Sequence, residues 1–410
     1  MSDTLNPRSN EDIEDAIKSS LAKNRTLEII GNGSKRAIGR AAQWDTTLNL
    51  SALAGVSLYE PDELVLSAKA ATPLAEIEAL VAAHNQQLAF EPMDYGPILG
   101  TPAKQGTIGG MIAANLAGPR RIKAGAARDH FLGFIAISGR GETFKSGGRV
   151  VKNVTGYDLP KLLAGSWGTL AAMTDVTIKV LPKPETEQTL LLSGLDDTRA
   201  VAAMCAAMGS AGEVSAAAHL PASVAARLTV PTLTGDRTAL TLLRLEGVPP
   251  SIRHRFDLLR SLLHPFGTAT AVEAAASQAL WLAVRDATPF AIADGNQERP
   301  LWRVSVAPTQ GPHLTARIAA LADADAFYDW AGGLVWLQLA PSDDAGSAIV
   351  RPAVAALGGH ATLVRAPVSI RAAADVFQPP DPVVATLSKR IKEGFDPTGI
   401  LNPGRMYAGV

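Results

Sequence analysis

The sequence predicts an α+β protein with two or three domains, and three observations lead to this fold class. The chain has 410 residues, whereas a typical domain has about 150. Hydrophobic residues make up 47% of the chain and charged residues 19%, which is the composition of a folded protein with a large core and excludes a disordered one. Short strand-like runs and glycine-rich loops occupy the first 184 residues, and strands alternate with amphipathic helices after them.

The first 184 residues are predicted to contain mostly short elements. A helix over 10–24 has apolar positions at helical spacing, and a buried strand over 26–30 follows it. Thr72 is predicted to cap a helix whose first position is Pro73. The other predicted helices cover 110–116 and 157–163, and the other strands cover 46–50, 57–59, 64–68, 88–90, 131–138, 143–146 and 173–180.

Residues 185–385 have a regular alternation of strand and helix, which predicts a sheet covered by helices on one face. The predicted strands are 188–193, 239–245, 302–306, 334–339 and 360–365, and the predicted helices are 197–208, 250–263, 313–321 and 345–357. A last amphipathic helix over 383–395 is followed by a turn over 396–399, where proline and glycine stand at the positions that a type I turn prefers.

Charge and cysteine content exclude several classes of function. Lys and Arg number 38 against 39 Asp and Glu, so there is no surplus of cations for a nucleic-acid backbone, and nucleic acid is excluded as the main partner. Cys205 is the single cysteine, so the chain cannot hold an iron–sulfur cluster through the usual four thiolates. None of the seven histidines pairs with another at a spacing of three to five residues, so no metal site is predicted.

The sequence also predicts a cytoplasmic location. The N-terminus carries acidic and polar residues in place of the basic and apolar regions of a secretory signal. No uncharged apolar stretch reaches the length of about 18 residues that a membrane span requires.

A first glycine-rich loop follows the predicted strand 26–30. It contains Gly31, Asn32, Gly33 and Ser34, and successive glycines let backbone amides converge on phosphate oxygens. The third glycine of the dinucleotide fingerprint would fall at position 36, which is Arg36, so NAD on a Rossmann unit is disfavoured. Taken alone, a tight turn without a ligand is the better explanation of this loop.

A second glycine-rich loop precedes the predicted helix 110–116 and contains Gly106, Thr107, Ile108, Gly109 and Gly110. Its amides and the positive end of the helix dipole would offer a second anion site, and close helix packing is the alternative. Two such loops about 75 residues apart, both predicted to follow strands, favour a ligand with a diphosphate.

Several ordered motifs of the chain resemble those of the vanillyl-alcohol-oxidase family, whose FAD-binding domain is of the PCMH type. They are 31–35, 107–110, 128–133, 152–159, 165–170 and the ending 395–404. Within this family the chain is similar to the FAD-binding subunits of bacterial glycolate oxidases. The segments 301–306, 329–333 and 358–363 extend the likeness over nearly the whole chain.

The resemblance implies a two-lobed FAD-binding domain over 1–184, an α+β cap domain over 185–385 and a C-terminal segment over 386–410 that returns to the first domain. Members with covalent flavin often attach it through a histidine in the first glycine-rich loop, where this chain has Ser34 and Lys35, so noncovalent FAD is implied. The implied FAD contacts are Gly31, Asn32, Gly33, Ser34, Lys35, Gly106, Thr107, Ile108, Gly109, Gly110, Asn153, Gly156, Gly165, Gly168, Thr169 and Asn402, the last near the flavin ring.

The resemblance further implies a role in oxidising glycolate, a 2-hydroxy acid, to glyoxylate. The electrons would pass to an iron–sulfur partner subunit, and a second flavin-binding catalytic subunit would belong to the same complex. Any membrane association would be made through these partners. A stand-alone FAD-dependent 2-hydroxy-acid or alcohol dehydrogenase and a non-catalytic subunit that holds FAD for assembly or electron relay remain open.

Oxidation of a 2-hydroxy acid requires a cation for the carboxylate, a base for the hydroxyl proton and a hydride acceptor. The available candidates are His360, Arg303 and Arg365, each on or beside a predicted strand. Structural roles on half-exposed strand faces explain all three as well, so the sequence assigns no catalytic role. Four tryptophans are predicted to be core or interface aromatics, namely Trp281, Trp302, Trp330 and Trp336.

Overall fold

A computed structural model describes residues 3–149, 156–230, 238–292 and 299–408 of the chain. It contains helices and several sheets, so the predicted α+β class is confirmed. The sheets distinguish three parts of the molecule. They are called here the N-terminal region (residues 3–182), the central region (residues 186–373) and the C-terminal segment (residues 382–408).

Two sheets form most of the N-terminal region, whose strands are β1 (Asp3–Leu5), β2 (Leu27–Ile30), β3 (Thr46–Asn49), β4 (Val56–Glu60), β5 (Val65–Lys69), β6 (Gln86–Gln87), β7 (Phe131–Ser138), β8 (Thr143–Gly147), β9 (Ala171–Lys179) and β10 (Leu181–Pro182). A parallel sheet has the order β1-β3-β2, and an antiparallel sheet has the order β4-β5-β9-β7-β8. Strands β6 and β10 pair with each other.

Seven helices of the N-terminal region are described, namely α1 (Asn10–Ala22), α2 (Leu74–Ala82), α3 (Gly96–Leu99), α4 (Ile108–Ala113), α5 (Arg121–Ala124), α6 (Ala127–His130) and α7 (Leu159–Leu163). Helix α1 begins at a capping box, in which Ser9 Oγ accepts from the Asp12 amide and the Asp12 carboxylate accepts from the Ser9 amide. Its buried Ile13 and Ile17 pack against Leu27 of β2, so α1 covers the parallel sheet.

An antiparallel sheet of eight strands dominates the central region. Its strands are β11 (Thr186–Ser193), β12 (Ala216–Leu220), β13 (Leu240–Gly247), β14 (Ala269–Val272), β15 (Leu301–Ser305), β16 (Ala324–Asp329), β17 (Leu334–Leu339) and β18 (His360–Arg365). They lie in the order β14-β11-β13-β12-β16-β17-β15-β18. The helices after residue 186 are α8 (Asp197–Met208), α9 (Ala222–Ala225), α10 (Pro249–Leu262), α11 (Ala274–Arg285), α12 (Gly311–Ala319), α13 (Ser347–Ala355), α14 (Val368–Ala373) and α15 (Pro382–Phe395).

Helices cover both faces of this sheet, which differs from the single covered face that the sequence predicts. Residues of α8 and α10 pack against one face, as do those of α12 and α13. Helix α11 packs against the other face, where Trp281 Nε1 donates to Thr189 Oγ1 of β11 at 2.8 Å. The sequence analysis missed both α11 and β12. Strand β12 is rich in alanine, which favours a helix in isolation, so pairing within the sheet decides its structure.

The C-terminal segment contacts the N-terminal region at β2. Leu401 pairs in parallel with Leu27 of β2, and the amides of Leu27 and Asn402 donate to the carbonyls of Ile400 and Leu27 respectively. The predicted domain boundary between residues 385 and 386 falls inside α15. We therefore propose that the C-terminal segment begins with α15, at Pro382.

Several predicted elements are shifted. The strand predicted over 88–90 is wrong, because pairing with β10 fixes a short strand at Gln86–Gln87 and the next residues form a turn. The helix predicted over 110–116 begins earlier, at Ile108, and ends at Ala113. Thr72 does not cap α2, because its hydroxyl donates to the carbonyls of Gly55 and Lys69.

Candidate functional site

A cleft opens where the loop after β2, the start of α4 and the loop before β9 meet the C-terminal segment. It contains about 740 Å³ of space free of protein atoms, its open mouth included. The residues that line it are Ile29, Ile30, Gly31, Asn32, Gly33, Ser34, Lys35, Arg36, Leu50, Ala70, Ala71, Thr107, Gly109, Gly110, Ala113, Trp167, Gly168, Ala171, Met173 and Arg405.

All five residues predicted to contact FAD in the first glycine-rich loop line this cleft, namely Gly31, Asn32, Gly33, Ser34 and Lys35. Gly33 has a φ of +72°, a left-handed conformation in which a side chain would be strained. Within the described ranges, the amides of residues 32–35 donate to no other protein group. They are therefore available to the oxygens of an anionic ligand.

The second glycine-rich loop contributes Thr107, Gly109 and Gly110 to the cleft, whereas Gly106 and Ile108 do not line it. The loop does not follow a strand as predicted, because the preceding described element is the short helix α3. Helix α4, which starts at this loop, has six residues. The helix dipole that was predicted to favour an anion at this loop would thus come from one short helix, α4.

Three of the five amides of the second loop already have acceptors inside the protein. The amides of Ile108, Gly109 and Gly110 donate at 3.0, 2.7 and 3.2 Å to Thr72 O, Ala70 O and Thr107 Oγ1. What the glycines provide here is close packing. A Cβ atom on Gly109 would lie 2.8 Å from Ala70 O, and one on Gly110 would lie 3.1 Å from Thr107 Oγ1.

Asn402 lies behind the wall of the cleft, 1% exposed. Its Oδ1 accepts from the Ile29 amide at 2.8 Å, and its Nδ2 donates to Trp167 O at 2.8 Å. A Cβ atom on Gly168 would lie 2.7 Å from Asn402 Nδ2, so only glycine allows this approach. The side-chain amide of Asn402 thus joins Ile29 of β2 to the wall formed by Trp167 and Gly168.

The other predicted FAD contacts are placed as follows. Gly156 is exposed, with a φ of +85°. The Gly165 amide donates to Ile112 O, and Thr169 Oγ1 donates to Ser166 O. None of these three predicted contacts lines the cleft, and Asn153 lies outside the described residues.

A buried ion pair holds the C-terminal segment beside the cleft. Lys392 Nζ donates to Asp396 Oδ2 and to Thr169 O, both at 2.6 Å, and to Leu401 O at 2.9 Å. The Asp396 carboxylate also accepts from the amides of Ile400 and Leu401. Burial lowers the pKa of Lys392, and the Asp396 carboxylate opposes this shift. The sequence analysis missed this pair, although its spacing of four residues at a helix end is a usable signal.

A second group of polar side chains surrounds Trp330, which follows β16. The guanidinium carbons of Arg121 and Arg303 lie 4.9 and 5.0 Å from the centre of its indole ring. In the described part of the chain neither arginine forms a salt bridge with a carboxylate. Arg121 belongs to the N-terminal region and Arg303 to the central region, so the indole brings the two regions together.

His360 lies near these two arginines. It starts β18, where it pairs with Ser305 of β15, and because side chains alternate along a strand it shares a sheet face with Arg303. His360 is exposed at the start of β18, yet partial desolvation of its imidazole, followed by the charges of Arg303 and Arg121, lowers its pKa. We call Arg121, Arg303 and His360 the cation cluster. The sequence analysis missed Arg121, and only its place beside Arg120 after a Gly-Pro pair marks it in the sequence.

Arg365 is not brought to the cation cluster. It ends β18, whereas His360 begins it, and its side chain is buried. Its Nε donates to Arg299 O at 3.0 Å, and one terminal nitrogen donates to Ile98 O and Phe290 O, both at 2.8 Å. Its contacts are those of a structural residue that ties Ile98 of α3, Phe290 and Arg299 to the end of β18.

Trp330 is held by hydrogen bonds from its backbone amide and from its indole nitrogen. The Asp329 carboxylate accepts from the Trp330 amide at 2.7 Å, and Trp330 Nε1 donates to Gly118 O at 3.0 Å. Trp330 and Ala331 have φ angles of +52° and +58°, a left-handed conformation that costs energy for residues other than glycine. Burial raises the pKa of Asp329 to about 7.

An ion cluster joins the N-terminal region to the central region close to this point. Both terminal nitrogens of Arg244 donate to the Glu91 carboxylate at 2.8 Å, and Arg120 lies 3.2 Å from Glu246. Burial opposes the ionisation of Glu91, but Arg244 and then Arg120 outweigh it and hold the pKa of that carboxyl below its ordinary value. We call Glu91, Arg120, Arg244 and Glu246 the inter-region ion cluster.

Two further properties can be stated for the part of the chain that the structure describes. Its His, Cys, Asp and Glu side chains nowhere gather in threes or more to form a candidate metal site. Its helices are also too short or too polar for any of them to traverse a bilayer.

Comparison with known proteins agrees with this geometry. Residues 4–147 match the family "FAD binding domain", and residues 378–406 match the family "FAD linked oxidases, C-terminal domain". The glycolate oxidase subunit GlcE of Escherichia coli is 33% identical over 96% of this chain and 95% of its own length. The glycolate oxidase subunit GlcD of Bacillus subtilis is 24% identical over 86% of this chain and 77% of its own length.

Among solved structures, p-cresol methylhydroxylase has the same fold, with a TM-score of 0.72 at 12% identity over 99% of this chain and 88% of that one. Alkyldihydroxyacetonephosphate synthase gives a TM-score of 0.71 at 16% identity over 98% and 75% of the two chains. The predicted resemblance and the predicted cofactor are thereby confirmed. The cleft fits FAD, because it combines unused loop amides with glycines whose missing side chains leave the space open. The chain is an FAD-dependent oxidoreductase and belongs to the family of the glycolate oxidase subunit GlcE.

Proposed function

We propose that this chain is the FAD-binding subunit of a complex that oxidises glycolate to glyoxylate. The electrons pass to an iron–sulfur partner subunit, and a second flavin-binding subunit belongs to the same complex. The observation that carries the proposal for this chain is the cation cluster, in which Arg121 and Arg303 face one indole ring and lack a carboxylate among the described residues.

Such a cluster favours a small carboxylate ligand. Two guanidinium groups near one another repel, and Arg303 contributes to lowering the pKa of Arg121 after the effect of burial. A bound carboxylate offsets this repulsion and accepts charge-assisted hydrogen bonds from the arginines. Arg303 and Arg121 are both half-buried, so the attraction is screened less than on an open surface.

The cation cluster is connected with the FAD cleft through shared packing. Trp167 lines the cleft and packs against the hydrophobic cluster that contains Trp330. Tyr95 packs against the same cluster. Burial raises the pKa of its hydroxyl, and the charge of Arg303 opposes that shift. These contacts support a substrate position at the end of the cleft that Trp167 borders.

Oxidation of glycolate removes a hydride from carbon and a proton from the hydroxyl group, and bound FAD accepts the hydride. Arg303 and Arg121 would bind the carboxylate and so orient the carbon. His360 would accept the hydroxyl proton, because its lowered pKa leaves the imidazole neutral at physiological pH. Arg365 has no part in this proposal, since it lies at the opposite end of β18 from His360 and its Nε and one terminal nitrogen donate to backbone carbonyls.

The onward transfer of electrons supports a complex. Cys205 is the single cysteine of the chain and lies on α8 with a free thiol, so four-thiolate ligation of an iron–sulfur cluster needs another protein. Noncovalent FAD is part of the proposal, because Ser34 and Lys35 stand where the family's covalent members carry histidine.

The proposal is tested by replacing Arg303 with methionine in the assembled complex. A lost charged hydrogen bond costs about 1.5–3 kcal/mol, so we expect KM for glycolate to rise about ten- to hundredfold while the amount of bound FAD stays the same. The matched control is Arg317→Met, because Arg317 is exposed on α12. Flavin absorbance measured without oxygen reports both FAD content and reduction by glycolate.

Two results would count against the function. Protein that gains no flavin absorbance after incubation with FAD would exclude the cofactor role. If complexes with Arg303→Met and with Arg317→Met are equally active towards glycolate, the cation cluster is not part of the substrate site.

A further inference from the structure

We propose that Lys35 supplies the positive charge that neutralises the FAD diphosphate, and that FAD binding is accompanied by proton uptake at Lys35 Nζ. The inference rests on the FAD site described above and goes beyond it in assigning a charge and a proton to one residue. It concerns cofactor binding alone, so it can fail while the proposed oxidation of glycolate stands.

Lys35 lies where the diphosphate of FAD would bind. Its side chain lines the cleft between the two glycine-rich loops. Nζ donates to Ser34 Oγ at 3.2 Å, and a Cβ atom on Gly110 would lie 3.4 Å from it. The neighbouring amides of residues 32–35 are the ones that no protein group uses in the described ranges. A diphosphate held by those amides would thus meet the ammonium group as well.

The charges around Lys35 leave its ammonium group poorly compensated. Asp94 attracts it, but the Asp94 carboxylate already accepts from the amides of Gly96 and Lys104 and forms no salt bridge with Lys35 in the described structure. Arg405, from the C-terminal segment, repels it and donates to Lys35 O at 3.0 Å.

The nearest charge on the first loop is Arg36, whose guanidinium is engaged by the buried Glu28 carboxylate. The second loop, residues 106–110, has no ionisable side chain. Arg405, with a pKa of about 10 as a result of burial, keeps its charge well above neutral pH. Lys35 is therefore the basic group of the cleft that changes charge first as the pH rises.

Burial in the cleft wall lowers the pKa of Lys35 to about 8. A diphosphate beside Nζ favours the charged form and so raises the pKa in the complex. The FAD-free protein therefore binds fewer protons than the complex around pH 8, and FAD binding takes up the difference. Because binding takes up protons, affinity for FAD is highest well below pH 8 and falls as the pH rises through it.

The magnitude follows from the protonated fraction of the FAD-free protein. With a pKa of about 8, this fraction falls from about nine-tenths at about pH 7 to about one-tenth at about pH 9. If the complex stays protonated, the Kd for FAD rises about tenfold over that interval.

The experiment measures the Kd of FAD by quenching of its fluorescence at about pH 7 and about pH 9 for four proteins, the wild type, Lys35→Arg, Lys35→Met and Lys104→Met. Calorimetry in two buffers with different heats of ionisation counts the protons that binding takes up. We expect the Kd for FAD to rise about tenfold from about pH 7 to about pH 9 in the wild type and in Lys104→Met. Lys104 is exposed, so its replacement is the control. Lys35→Arg should bind with no rise, because arginine stays charged, and Lys35→Met should bind more weakly at both values.

The outcomes separate the proposal from its alternatives. A Kd that does not change with pH in the wild type, or that rises equally in Lys35→Arg, would overturn the assignment of the proton to Lys35. A Lys35→Met protein with wild-type affinity at about pH 7 would overturn the assignment of the counter-charge. If Lys35→Met does not fold, the comparison of the wild type with Lys35→Arg still decides the matter. Glycolate is absent from all of these measurements, so a failure of the proposed oxidation would not affect them.

Discussion

Replacing Lys392 by methionine tests how the C-terminal segment is held beside the cleft. The ammonium group is buried and donates to the Asp396 carboxylate and to two carbonyls, Thr169 O before β9 and Leu401 O in the segment itself. Methionine has nearly the same length and no charge, so the substitution removes these three bonds while it keeps most of the packing.

The expected loss can be worked out from the contacts. Removing one partner of a buried ion pair costs about 3–5 kcal/mol, because the other charge stays buried without compensation. The Asp396 carboxylate keeps its bonds from the amides of Ile400 and Leu401, which places the cost at the lower end of that range. We expect Lys392→Met to lower the free energy of unfolding by about 3 kcal/mol.

The same change should weaken FAD binding. Asn402 follows directly after Leu401 and joins Ile29 to Trp167 at the wall of the cleft. A segment that opens locally has less protection than the rest of the molecule, so hydrogen exchange at residues 400–402 should quicken and the Kd for FAD should rise.

Urea unfolding followed by circular dichroism, together with FAD titration, measures both effects. Lys389→Met is the control, because Lys389 is exposed on the same helix and should change stability by no more than about 0.5 kcal/mol. Lys392→Met combined with Asp396→Asn leaves no buried charge and should recover part of the loss. Equal stability and equal FAD affinity of Lys392→Met and Lys389→Met would refute this reasoning.

Three further predictions concern individual residues. Gly109→Ala should lower the free energy of unfolding by about 1–3 kcal/mol and weaken FAD binding, because its Cβ would lie 2.8 Å from the Ala70 backbone. Gly394→Ala, whose Cβ would have nothing within 4 Å, should do neither, and urea unfolding and FAD titration measure both effects. Asp329 has a folded pKa raised from 3.8 to about 7, so its contribution to stability is lost as the pH rises between these values, and Asp329→Asn should flatten the slope of unfolding free energy against pH. Arg244→Met leaves both carboxylates of the inter-region ion cluster short of a partner and should cost about 3–5 kcal/mol in the same assay.

Local sequence signals predicted most of the elements that build the site. Helix α8 and strands β17 and β18 have the predicted bounds, because their apolar periodicity and flanking turns agree with their packing. The alanine-rich β12 and the helix α11 were missed. Alanine by itself favours a helix over a strand, so pairing with neighbouring strands decides the structure of β12, and packing of the buried Trp281 against β11 supports α11.

The sequence by itself determined the α+β class, the first glycine-rich loop and the Asn-Pro-Gly ending at Asn402, because glycine, proline and apolar spacing act over a few residues. Only the tertiary structure decided which loop keeps its amides free. Both loops are rich in glycine, but Ala70 and Thr72 accept from two amides of the second loop, whereas the amides of residues 32–35 in the first loop donate to no protein group within the described ranges. It also decided that Arg121 and Arg303 meet at Trp330 while Arg365 does not, since such encounters depend on how distant segments pack.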